Sequence, residues 1–161
     1  MKQSSNTGET LMQSGRRWFI QGGLALAAIA AIPRMLLAMA WPEKAFTSEV
    51  AADAMTRLFG TDQTTSSDAI TLRVPEIAEN GAVVPVSIET ALKNVQSVSI
   101  VVEKNPRPLI VSFEVPAGTS PDVACRIKMA ETSQVMAVVK TDNGLFSAAK
   151  KVKVTIGGCG G

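Results

Sequence analysis

From Ile70 onward the chain changes repeatedly between short apolar–polar alternations and clusters of turn-forming residues. In "ITLRVP", Ile70, Leu72 and Val74 alternate with Thr71 and Arg73; in "VPVSIET", Val84, Val86 and Ile88 alternate with polar neighbours. A period of two predicts strands with one face buried. Similar segments follow in "VQSVSIVVE", "LIVSFEVP", "DVACRIKMAE", "QVMAVVKT" and "LFSAAKKVKVTI", divided by "KNPRP", "AGTSP", "TSQ" and "DNG". About seven short strands with turns between them predict a mainly β chain, an Ig-like antiparallel β-sandwich. Between the first two strands lies "PEIAENGA", whose Asn80–Gly81 is the dipeptide favoured where two residues with positive φ are needed, so a hairpin turn is expected there.

Ahead of the strands the period is helical. "TSEVAADAMTRLFGTD" offers Thr47 or Ser48 as an N-cap, Glu49 and Asp53 early, and Gly60 as the stop. Val50, Ala54, Leu58 and nearby Phe59 share a face, which predicts one amphipathic helix lying on another layer. The polar stretch "TTSSD" then reads as a linker.

Nearer the start, "SGRRWFIQ" sets Arg16 and Arg17 before an apolar run from Gly22 to Ile32, and "LAMA" puts Ala38 and Ala40 ahead of a cleavage point at Trp41. That run is shorter than the roughly twenty residues a membrane-spanning helix needs, and Pro33 and Arg34 interrupt it. Twin arginines followed by x-Phe-Ile resemble a Tat signal, which would deliver the protein to the bacterial periplasm; an uncleaved anchor is the alternative. The expected organisation is a twin-arginine leader at 1–40, the helix and linker at 41–69, the sandwich at 70–156 and an arm at 157–161.

Charge supports that division. The net charge is +2, but four of the 16 basic residues and one of the 14 acidic ones lie in the first forty, so the remainder carries −1. Such a body has no polycationic surface for nucleic acid. It also has no histidine, which removes the commonest general base and metal ligand along with Ser-His-Asp and Cys-His arrangements. Glu76 and Glu79 read as solvated turn residues rather than an acid–base pair, and Lys150, Lys151 and Lys153 as a charged edge that discourages pairing with another sheet.

The remaining chemistry lies in "VKVTIGGCGG". Gly157, Gly158, Gly160 and Gly161 bracket Cys159 with the residue that loses most backbone entropy on ordering, so the thiol is expected on a slender, flexible arm rather than in a packed site. Three steps separate it from Ile156, a reach of at most roughly 10 Å. A reactive group on such an arm suits a carrier presenting cargo to other proteins. Cys125 makes the cysteine count even, so a Cys125–Cys159 bridge is an alternative. In "DVACRIKMA", however, Cys125 alternates in phase with Val123, Ile127 and Met129, which predicts a buried, inward-facing thiol. A thiol-redox or metal-transfer protein would also use Cys159, though the tail lacks a C-x-x-C pair or neighbouring His and Met ligands. An Ig-like interaction module with an incidental tail is the third class.

The terminal "VKVTIGGCGG", with "PEIAENGAVVPVSI", "NPRP" and "CRIKMAETSQVMAVVKTDNG", resembles the SoxY family, the carrier subunits of the bacterial sulfur-oxidation (Sox) system. The likeness runs from near Phe46 to Gly161; Cys125 departs from the family pattern, which relies on the tail cysteine alone.

The resemblance implies a covalent substrate carrier, not an enzyme, with no cofactor or metal of its own. Cys159 would be the attachment point and SoxZ the heterodimer partner. SoxAX, a haem protein, would couple thiosulfate oxidatively to the thiol. SoxB would hydrolyse off the terminal sulfonate as sulfate, and SoxCD, where present, would oxidise the sulfur left behind. A free thiol near its ordinary pKa is only a few per cent thiolate at neutral pH, so activation would have to come from the partner's site.

Overall fold

The computed structural model describes residues 41–155; the proposed leader and the arm residues Gly157, Gly158, Cys159, Gly160 and Gly161 lie outside the described residues. Among these residues two helices, α1 (Glu43–Phe46) and α2 (Ala51–Phe59), precede nine strands. These are β1 (Thr65–Ser66), β2 (Ile70–Arg73), β3 (Ile77–Ala78), β4 (Val84–Thr90), β5 (Val95–Val102), β6 (Leu109–Glu114), β7 (Val123–Ile127), β8 (Ser133–Thr141) and β9 (Gly144–Val154). They form two sheets: a larger one in the order β1-β9-β8-β5-β6, with β3 also on β9, and a smaller one in the order β2-β4-β7. This is the expected mainly β, Ig-like sandwich.

Burial follows the alternation in the smaller sheet. Ile70, Leu72, Val84, Val86 and Ile88 point inward while Thr71, Arg73 and Pro85 face out. In the larger sheet the central strands are covered on both faces. Val98, Ile100, Val102, Val135, Ala137 and Val139 meet the smaller sheet. Val101 and Val138 instead join Ala45, Ala54, Met55 and Leu109 beneath the helices. Two-sided cover is why "VSIVV" and "VMAVV" read as near-continuous apolar runs. Among the described residues no buried side-chain polar atom lacks a partner, and no helix is long and apolar enough to cross a membrane.

Four local expectations are corrected. The sandwich is not wholly antiparallel: β1 and β3, each two residues long, pair parallel to β9, and they occupy the stretches read as linker and turn. The helix expected from Thr47 or Ser48 starts later, and a second, four-residue helix precedes it. Thr47 ends α1, and α2 begins after Val50, which provides no side-chain cap. The Ser48 hydroxyl lies 2.8 Å from both the Lys44 carbonyl oxygen and an Asp53 carboxylate oxygen, its one proton serving either. Gly60 does end α2, in the left-handed conformation at φ 83°.

Asn80–Gly81 is not a positive-φ hairpin turn, since neither residue has a positive φ. The Asn80 side-chain oxygen instead accepts the Ala82 N–H at 2.9 Å, and the Asn80 carbonyl accepts that of Val83 at 3.2 Å. Gly81 is required for a different reason. A Cβ there would sit 2.5 Å from the Met129 carbonyl oxygen and 2.9 Å from Val154 Cγ1.

Candidate functional site

β9 ends at Val154, at the base of the tail, and three segments converge there. On one side β3 lies parallel to β9, with Ile77 opposite Lys153 and Ala78 opposite Val154. The Lys153 N–H donates to the Glu76 carbonyl at 2.9 Å and the Thr155 N–H to the Ala78 carbonyl at 3.0 Å. On the other side the β8–β9 ladder runs from Thr141↔Gly144 to Ser133↔Val152. Two residues further along β9, the Val154 N–H donates to the Thr132 hydroxyl at 3.0 Å. Behind this, the Met129 N–H donates to the Gly81 carbonyl at 2.7 Å.

Held on both edges, β9 delivers Thr155 to a fixed place on the surface. Cys159, four residues later in the sequence, lies outside the described residues.

The lysines lie beside that point. Lys150, Lys151 and Lys153 are exposed and border a cleft of about 660 Å³ with Val74, Pro75, Glu76 and Thr132. On the edge away from β8, β9 pairs with β1 only at Phe146–Ser147 and with β3 only at Lys153–Val154. Lys150 and Lys151 fall in the unpaired interval, where charge opposes a further strand. Glu76 and Glu79 are both exposed in the connection around β3; Glu76 serves the site through its carbonyl. Among the described residues no cluster of His, Cys, Asp and Glu could hold a metal ion.

Cys125 is placed on the inward side of β7, opposite Val86, as the alternation predicts. It is half-buried rather than buried, because β7 is an edge strand and its uncovered side borders a cleft of about 530 Å³ with Arg73, Val74, Pro85, Ser87 and Arg126. Its thiol is free, and partial burial pushes its pKa up by disfavouring the thiolate. A raised pKa leaves less of the nucleophilic thiolate at neutral pH.

The residues that secure the base of the tail escape sequence reasoning. Thr132 stands in a turn cluster, "ETSQ", and meets a partner 22 positions away. Only the Asn80–Gly81 signal marks the region, and it suggests a different geometry.

Comparison with known proteins places this geometry in context. The family model described as sulfur oxidation protein SoxY matches residues 55–159. The sulfur carrier protein SoxY from Chlorobium limicola f thiosulfatophilum is similar, with 39% identity over 65% of this chain and 94% of that one and a TM-score of 0.59. A superoxide reductase (neelaredoxin) from Ignicoccus hospitalis shares 17% identity over 54% of this chain and 80% of that one; its TM-score of 0.48 is too low to bear on fold or function. No curated protein matches the chain.

Proposed function

This chain belongs to the SoxY family of sulfur oxidation proteins, and on that premise we propose that it carries sulfur intermediates covalently on Cys159 and presents them in turn to separate enzymes. The observation that carries the reading is the continuity of a strand clamped as far as Thr155 with Gly157-Gly158-Cys159-Gly160-Gly161. A firm base gives the cargo a defined origin. Paired glycines, with no side chains, allow the thiol to enter narrow sites and to turn within them.

Loading joins the Cys159 sulfur to the outer sulfur of thiosulfate. The new S–S bond releases two electrons and the thiol proton, and the haem protein SoxAX takes the electrons. The product is a Cys–S–S–sulfonate. Hydrolysis in SoxB adds water across the bond between the terminal sulfur and its sulfonate, releasing sulfate and leaving a persulfide. Where present, SoxCD oxidises that remaining sulfur. This chain's residues hold and present the cargo; its lack of histidine leaves activation of the thiol to the enzymes. Keeping the cargo tethered also replaces repeated diffusion of unstable intermediates with a high local concentration.

SoxZ completes the carrier as a heterodimer partner. Residues 1–40 are a Tat leader that brings the protein to the periplasm, 41–69 the helical segment and linker, 70–156 the sandwich and 157–161 the flexible arm. The test is mass spectrometry of the tail peptide from cells grown on thiosulfate. Sulfur or thiosulfonate adducts on Cys159 support the reading; an unmodified Cys159 in cells actively oxidising thiosulfate contradicts it.

A further inference from the structure

We propose that Thr132 sets the point at which the arm leaves the body, acting as a side-chain rung that prolongs the β8–β9 ladder by one position. The backbone ladder stops at Ser133↔Val152. The next ladder position on that edge belongs to Val154, and no β8 residue is there to meet it. The Thr132 hydroxyl takes over both functions of the missing rung. It accepts the Val154 N–H at 3.0 Å and lies 3.4 Å from the Val154 carbonyl, to which it can donate. One hydroxyl thereby engages both backbone polar groups of the residue just before the end of the described chain.

Thr132 is itself held in place. The Asn105 side chain donates to the Lys128 carbonyl at 2.7 Å and accepts the Ala130 N–H at 2.9 Å, which fixes the turn leading into β8 from one side. From the other, the Gly81 carbonyl accepts the Met129 N–H. Gly81 comes close enough to Met129 and Val154 that no side chain fits between them. On the opposite edge of β9, β3 supplies carbonyls to Lys153 and Thr155. Removing the hydroxyl leaves β3 as the sole backbone support beyond Val152, on one edge. Val154 then keeps no backbone partner, the end of β9 rests on single hydrogen bonds to β3, and each residue that leaves β3 lengthens the arm by roughly 3.5 Å.

The proposal deepens the carrier reading and rests on it for its functional consequence, but the clamp itself is measurable without any enzyme. In the full chain, Thr132→Val keeps the shape of the side chain and removes the hydroxyl. Amide hydrogen exchange at Val154 should quicken by roughly two- to tenfold, the equivalent of one hydrogen bond. Exchange at Val98 and Val138 in the core should not change, and Thr132→Ser should restore protection. Unchanged exchange at Val154, or an equal rise at Val98 and Val138, overturns the clamp.

Reach is tested separately by deleting Gly158, which shortens the arm by roughly 3.5 Å. Thr132→Val should partly restore the enzymatic loading of Cys159 that this deletion impairs, a gain that mere destabilisation does not produce. Absence of rescue, with Val154 exchanging faster, overturns Thr132 as the determinant of reach. A wild-type protein that is never loaded sinks the carrier reading instead, and the Val154 exchange still decides the clamp.

Discussion

Replacing Gly81 with alanine is expected to destabilise the protein, contrary to the usual effect of that substitution. Gly81 does not have a positive φ, so alanine meets no left-handed strain there and should stabilise by roughly 0.4–1 kcal/mol through the unfolded chain. Space decides the opposite sign. The new methyl would stand 2.5 Å from the Met129 carbonyl oxygen and 2.9 Å from Val154 Cγ1. An ordinary carbon–oxygen contact begins near roughly 3.3 Å, so the backbone on one side must retreat by about 0.8 Å. Met129 is only 4% exposed and belongs to the main core, so little space is available for that retreat.

Overpacking of this kind costs roughly 1–3 kcal/mol. Weakening the 2.7 Å Met129–Gly81 hydrogen bond adds about 1 kcal/mol. After the gain from the unfolded state, the net loss is about 2 kcal/mol. For a body of this size that corresponds to a fall in Tm of roughly 8 °C. Thermal unfolding followed by circular dichroism measures it, and urea unfolding with an unchanged m-value would show that the denatured state is not responsible. A Tm that stays constant or rises would show that the close approach at the base of the arm is not a constraint.

The other expectations are more local. Cys125 should react with a bulky maleimide more slowly than Cys159 in the native protein, since burial disfavours its thiolate, and peptide mapping giving equal rates would contradict that placement. Gly60→Ala should lower stability by about 1 kcal/mol, read from chemical denaturation, because Gly60 ends α2 at φ 83°. Asp53 is held below the usual carboxylate range, chiefly by its hydrogen bond from Arg57 and then by that from Ser48. A depressed folded pKa contributes stability above the unfolded value near pH 4 and loses it as pH falls through the folded one; Asp53→Asn should therefore flatten the acid limb of the stability curve, and an unaltered limb would count against the ion pair. Gly158→Val and Gly160→Val should slow enzymatic loading of Cys159 sharply while leaving its reaction with iodoacetamide nearly unchanged; loading at wild-type rate would remove the glycines as an access device.

The seven longer strands were legible because each carries its own burial pattern. Alternation marks Ile70–Leu72 and Val84–Ile88, while a near-continuous apolar run marks the doubly covered β5 and an unbroken one β8. The two-residue strands β1 and β3 were not, since two residues cannot display a period and both lie among Ser, Thr, Pro, Asn and Gly. The four-residue α1 escaped for the same reason, and its presence moved the start of α2 beyond Thr47 and Ser48. At the site, Cys159 stands out in sequence because glycine pairs on both sides are a local signal. Thr132 and Gly81 do not, because their importance comes from contacts with Val154, far away in the chain.

The most direct test of the account is loading of the purified carrier with thiosulfate by SoxAX, followed by mass spectrometry of the tail peptide in wild type and Cys159→Ser. The account predicts a thiosulfonate adduct on Cys159 in the wild type, removal of its sulfonate as sulfate by SoxB, and neither event in Cys159→Ser, whose fold and partner binding remain intact. An adduct on Cys125, or thiosulfate turnover sustained by Cys159→Ser, would contradict it.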